Sequence, residues 1–252
     1  MIKWYNRKGG DGMGEIIRAG RFAVEVLYED NHLLAVVKPP NLPAQADRSG
    51  DDDLLSILKR YIGQKYQKPG NVYLGLVHRL DRPVGGVMVF ARTSKAASRL
   101  SAACAAHAQD KRYLAVLQGE LAGERTLEDW LVKDGATGTV RVVPPDSPGA
   151  KQARLATRPL ASRDGLTLSE VTLYTGRAHQ IRVQHAHAGY PLWGDARYGG
   201  GRPGQQIALW AVSLGFEHPV RHEPLRFTAA PPAAGAWLIF QDRIEDYLHE
   251  EE

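Results

Sequence analysis

The chain has 252 residues, 43% hydrophobic and 24% charged, a composition that excludes a disordered or fibrous polymer and suits one elaborated domain or two small ones. Lysine and arginine number 32 against 28 acidic residues, a formal net charge of +4, which admits an anionic partner without identifying it. The single cysteine, Cys104, excludes an internal disulfide, and no apolar run approaches the roughly 18 residues of a membrane span, so a reducing, cytoplasmic location is expected.

Residues 1–23 mix glycine with both charges and no period, and are expected to be a flexible extension ahead of one domain spanning 24–252. VEVLYED and HLLAVVKPP predict two short strands around a turn at Glu29–Asn31. Pro39, Pro40 and Pro43 then impose a loop. Asp51–Asp53 can cap a helix whose apolar positions 54, 55, 57, 58 and 62 share one side and which Gly63 can end. NVYLGLVHRLD reads as a strand running into a loop and GGVMVFAR as a second strand, so the turn His78–Gly85 presents Asp81 at a strand end. Ser94 is the expected cap of an alanine-rich helix with Ala97, Leu100 and Cys104 on one face, and KRYLAVLQGEL returns as a strand. Residues 134–150 read as a loop, and QARLATRPLA and LTLSEVTLYT as a hairpin around SRDG. A helix is expected from Ala178 to Gly189, then two strands in LWAVSLGFEHP and EPLRFTAAPP, and an acidic, solvated tail in RIEDYLHEEE. The fold class is α+β.

Two segments carry chemistry. VHRLDRPVGG sets the carboxylate of Asp81 between Arg79 and Arg82, whose guanidinium groups would favour its ionised form; a surface salt bridge is the competing reading. GRAHQIRVQHAHAG gathers Arg177, His179, Arg182, His185 and His187 around a helix start, an arrangement suited to an anion. His185 and His187 would point in different directions from a helix, so the HxH pattern is not taken as a metal site.

These residues resemble a known family. HRLDRPVGG at 78–86, KRYLAVLQG at 111–119 and GRAHQIRVQHAHAGYPLWGDARYG at 176–199 are similar in order and spacing to three blocks of the RluA/RsuA-type RNA pseudouridine synthases, nearest the RluA branch. Flanking segments extend the likeness over residues 24–232. The chain departs from the pattern at Val84 and Gly85, where members commonly carry threonine and then serine or threonine, and at Asn41, where glycine is usual. With 23 residues ahead of this region, the small N-terminal RNA-binding domain of many members is expected to be absent.

The resemblance implies the pseudouridine synthase catalytic fold, a mixed, mainly antiparallel sheet with flanking helices and a central RNA-binding cleft. It implies an isomerase that breaks the bond from ribose C1′ to uracil N1, turns the base and rejoins it through C5, in ribosomal or transfer RNA and with no cofactor or metal. The target uridine would be flipped out of its stack. Asp81 is then the catalytic carboxylate, Arg182 its cationic partner and Tyr113 the residue stacked on the uracil. Arg79 is the candidate to fill the vacated stack, and Lys38, His78, Arg82, Arg177, His179 and Gln180 are the remaining expected RNA contacts. A monomer is the expectation. Two other readings compete: an inactive RNA-binding module of the same fold, supported by Val84 and Gly85, and a glycoside hydrolase, which would need Asp195 as a second carboxylate.

Overall fold

The computed structural model describes residues 3–5, 14–47, 49–106 and 108–250. In chain order the elements are β1 (Lys3–Tyr5), β2 (Ile16–Ala19), β3 (Phe22–Glu29), β4 (Leu33–Lys38), α1 (Leu54–Lys65), β5 (Gly75–Leu76), β6 (Gly85–Ala91) and α2 (Ser94–Ala105). There follow β7 (Asp110–Gln118), β8 (Arg125–Lys133), β9 (Val140–Val143), β10 (Lys151–Arg163), β11 (Leu166–Leu173) and α3 (Gln180–His187). The chain ends with β12 (Leu209–Glu217), β13 (Pro224–Thr228), a 3-10 turn at Gly235–Phe240 and α4 (Gln241–Glu250). Two compact units form, one from residues 1–110 and 211–230, the other from 111–210 and 231–252. The fold is α+β with a mixed sheet.

In the first unit the strand order is β2-β3-β4-β6-β12-β13-β1, with β5 beside β6. β1 runs parallel to β13, and β2 and β3 form an antiparallel hairpin. Residues 3–5 and 16–19, expected in a flexible lead-in, are thus paired strands. β6 is buried at all seven positions. An apolar run without alternation, GGVMVFA, is what a strand enclosed on both faces requires. Gly86 sits at φ 121°, and a Cβ there would lie 2.3 Å from the carbonyl oxygen of Ala211, so β6 and β12 approach closely only because position 86 has no side chain.

The helices of this unit differ from expectation at their ends. Asp53 caps α1, accepting from the Ser56 amide at 3.0 Å and hydroxyl at 2.7 Å. The helix then passes through Gly63 to Lys65, because Tyr61 and Lys65 both reach the carboxylates of Glu15 and Glu29 at 2.6–2.9 Å and hold an extra turn. Thr93, not Ser94, caps α2, its hydroxyl accepting from the Ala96 amide at 3.2 Å. The buried face accordingly centres on Ala96 and Leu100, with Cys104 half-buried. Instead of a strand through NVYLGLVHRLD there is only the two-residue β5, and the rest is irregular.

The second unit holds five antiparallel strands in the order β7-β11-β10-β8-β9. The β10–β11 hairpin turns at Asp164 and Gly165, both at positive φ (53° and 70°), the primed turn that matches strand twist. Residues 140–143, expected in a loop, form β9 against β8, with Lys133 opposite Val140. α3 packs on β8 and β9 and begins at Gln180 rather than Ala178. The acidic tail is also structured: Ile244 and Tyr247 of α4 are buried, and Arg163 grips Asp242 through two 2.7 Å bonds.

Candidate active-site residues

In the first unit, everything around Asp81 is fastened from below. Leu80 and Val84 are buried, the Val84 amide donates to the Asp81 carbonyl at 3.0 Å, and His78 accepts from the Val89 amide through Nε2 at 2.9 Å. That acceptor role assigns the His78 proton to Nδ1. The turn's other anchor is the Arg82 carbonyl, which accepts from the Asn41 amide at 2.8 Å and from Lys38 Nζ at 3.1 Å. Lys38 is fully buried, and its ammonium also donates to the carbonyls of Leu42 (2.7 Å) and Pro39 (3.1 Å). Three carbonyls fill its three donors. Burial pulls the Lys38 pKa down to about 7, opposed by the nearby Asp81 carboxylate. Lys38, expected at a phosphate, ties the 39–42 turn to the 81–84 turn.

Asn41 adopts φ 67°, a conformation asparagine tolerates better than other residues with a Cβ, which is how this chain does without glycine there. The Arg82 side chain turns to Asp51, with Asp47 at 3.6 Å and the Ser49 hydroxyl at 3.1 Å. Arg79 is exposed and Asp81 half-buried. This unit therefore groups Lys38, His78, Arg79, Asp81 and Arg82.

The second unit groups Tyr113, Arg177, His179, Gln180 and Arg182. Tyr113 lies in β7, paired with Val171 of β11. Arg182, on the first turn of α3, is buried and forms a two-bond pair with Asp195: Nε to Oδ2 at 2.8 Å and Nη2 to Oδ1 at 2.7 Å. Asp195 also accepts from the amides of Arg197 (2.9 Å) and Tyr198 (3.2 Å). Burial acts to raise the Asp195 pKa, but the guanidinium and these amides outweigh it and hold the carboxyl below its ordinary value. The Arg182 guanidinium lies 5.1 Å from the centre of the Tyr198 ring. The Tyr198 hydroxyl in turn meets His179 Nδ1 at 2.7 Å and accepts from the Val140 amide at 2.9 Å.

Gln180 is buried and committed to local structure, donating to the Arg154 carbonyl and accepting from the Thr175 hydroxyl and the Arg177 amide. It shapes the turn before α3. His179 stands in the left-handed region at φ 52°, which displaces the helix start by two residues. Arg177 is exposed, with Nε on the Gln152 carbonyl at 2.9 Å. His185 and His187 do part company. The first is buried between the Ile181 carbonyl and the Thr157 hydroxyl, and the second is exposed, 3.9 Å from Asp129.

The sequence reading assigned no positioning role to Asp195 or Tyr198. Their signal was present as GDARYG a few residues after HQIR, but a motif names residues without naming what each one holds.

Comparison with known proteins follows from this arrangement. Residues 32–187 match the family model described as RNA pseudouridylate synthase. Over 234 residues the chain is 34% identical to an uncharacterized RNA pseudouridine synthase, YjbO, of Bacillus subtilis (strain 168), covering 90% of this chain and 79% of that protein. It is 31% identical to ribosomal large subunit pseudouridine synthase D of Zymomonas mobilis (83% and 69% covered), and 30% identical to tRNA pseudouridine synthase C of Vibrio cholerae (80% and 88%). Among solved structures, human RNA pseudouridylate synthase domain containing 4 superposes with a TM-score of 0.69 at 20% identity, covering 87% of this chain and 92% of that one.

Proposed function

The chain belongs to the RNA pseudouridine synthase family, whose members are isomerases converting uridine in RNA to pseudouridine, and on that premise we propose that Asp81 is the catalytic carboxylate acting on a flipped uridine of ribosomal or transfer RNA. The observation that carries the assignment is the clamp on its turn. Lys38 and Asn41 both donate to the Arg82 carbonyl, and the Val84 amide donates to the backbone carbonyl of Asp81. A carboxylate that must meet C1′ or the C2′ proton of a bound ribose gains most from being held in place before substrate arrives.

In this reading the N1–C1′ bond breaks, the uracil turns within the pocket and C5 takes the place of N1 on C1′. The C5 hydrogen then leaves as a proton and N1 acquires one. Tyr113 stacks on the uracil, and Arg182, oriented by Asp195, is the cationic residue of the reaction. Arg79 fills the stack that the flipped base leaves. Arg177 and His179 contact the RNA directly, while Lys38, His78 and Gln180 hold the two segments in shape. Among the described residues no helix is long and apolar enough to cross a membrane.

The test is tritium release from RNA labelled at uridine C5, using unmodified ribosomal and transfer RNA transcripts. Wild type should release tritium and Asp81→Asn should not, with RNA binding retained. Release by Asp81→Asn at the wild-type rate would remove Asp81 from the chemistry.

A further inference from the structure

A depression of 340 Å³ opens in the second unit beside the start of α3. Its floor is apolar, formed by Leu131 and Val140, and its rim carries Lys133, Lys151 and Arg177, with no acidic residue among those lining it. Lys133 ends β8 and Lys151 begins β10, which are adjacent antiparallel strands, and Arg177 comes from the turn before α3. Three exposed cations from three separate segments therefore converge on one concavity. The nearest acid in sequence, Asp134, is turned away from this role: its carboxylate accepts from the Ala136 and Thr137 amides inside its own hairpin turn.

The geometry of the rim is not left to chance. Arg177 Nε donates to the Gln152 carbonyl at 2.9 Å, which holds the exposed side chain at the rim. The floor residues Leu131 and Val140 belong to one apolar cluster with Ala153 and Val183 of α3, against which Tyr198 packs. Cations set above a low-dielectric floor concentrate positive potential in the concavity.

We propose that Lys133, Lys151 and Arg177 form a subsite for a backbone phosphodiester of the substrate RNA, on a nucleotide flanking the one modified. The proposal rests on the pseudouridine synthase reading. A phosphodiester is the fitting ligand because its two unesterified oxygens accept charge-assisted bonds from several cations at once, while the ribose on either side can lie on the apolar floor. Because the floor continues into the cluster that carries Val183 and Tyr198, an RNA strand anchored here is registered against the helix that bears Arg182.

The experiment compares wild type, the double variant Lys133→Gln/Lys151→Gln, and a control losing equal charge at exposed sites elsewhere, Arg18→Gln/Lys95→Gln. Binding of fluorescently labelled, unmodified transfer RNA and ribosomal RNA transcripts is measured against salt, and tritium release is measured in parallel. The Lys133/Lys151 variant should bind about tenfold more weakly at low salt, and the slope of log Kd against log salt should fall by about 0.7, roughly the contribution of one phosphate contact. KM should rise to match while kcat at saturating RNA stays within about twofold of wild type. An unchanged slope and KM, or equal losses in the control pair, would overturn the subsite. The two arms separate the failures. Absence of tritium release from wild type on every transcript strikes the catalytic reading, whereas the salt slope judges the subsite on binding alone.

Discussion

Replacing Asp195 with asparagine tests the architecture around Arg182 most directly. Asparagine keeps the shape, and its carbonyl can still accept from the Arg197 amide, so the change chiefly removes the negative charge facing the guanidinium. The Arg182 side chain is 9% exposed and that of Asp195 0%, so a buried cation would be stranded. Losing one partner of a buried pair costs about 3–5 kcal/mol; the lower figure applies here, because the guanidinium keeps its position over the Tyr198 ring. For a chain of this size about 3 kcal/mol corresponds to a fall in Tm of roughly 6–12 °C, readable by calorimetry. Turnover measured well below that Tm should fall by about 10- to 100-fold, since a misplaced Arg182 no longer meets the reacting groups in register. The double variant Arg182→Met/Asp195→Asn should be more stable than the sum of the single changes requires, because neither charge is then left alone, while activity stays lost. A Tm within 2 °C of wild type for Asp195→Asn, with strictly additive effects in the double variant, would refute the reasoning.

Two further outcomes follow from buried groups. Lys38→Met should take the ammonium donor from the Leu42 and Pro39 carbonyls, leave the Arg82 carbonyl with the Asn41 amide alone and loosen the turn that carries Asp81, so kcat should drop by about 100-fold in the tritium assay while KM changes little; a kcat near wild type would show that the clamp is dispensable. His185 is pushed down to about 4 by burial, against the opposing bond to the Ile181 carbonyl, so the unfolded chain takes up its proton at a higher pH than the folded one. Its contribution to stability is complete above about pH 6.5 and is lost as pH falls through 4, about 3 kcal/mol in all. Urea denaturation across that range should show this loss in wild type and not in His185→Gln.

The strand that delivers Asp81 was legible because GGVMVFA is an apolar run with no other sensible reading, and the β10–β11 hairpin because an Asp-Gly pair between alternating segments demands a primed turn. What escaped the sequence depends on partners far along the chain. Lys38 looks like a surface cation beside two prolines until the Arg82 carbonyl, 44 positions away, is brought onto it. β9 hides in a glycine- and proline-rich stretch because four residues show too little alternation to register. In α4 the apolar signal is Ile244, Tyr247 and Leu248 among charges, so only packing reveals that Ile244 and Tyr247 are buried. HQIR draws attention to Arg182 but not to its partner, since nothing local says that a carboxylate 13 residues on will close around it.

The path of the chain through its two units also bears on how the protein is made. β1 finds its partner only when residues 225–227 exist, β6 requires the 211–217 strand beside it, and the second unit needs α4 for Asp242 to meet Arg163. Residues 211–230 finish the first unit and 231–252 belong to the second, so neither can be completed on a ribosome that has synthesised only the first 210 residues. At about 5–20 residues per second, the nascent chain spends many seconds with the long β6 flank and the β1 edge unpaired, exposed to chaperones and to other chains. Folding of both units therefore waits on residues 211–252, and trimming that segment should yield insoluble protein rather than a smaller enzyme.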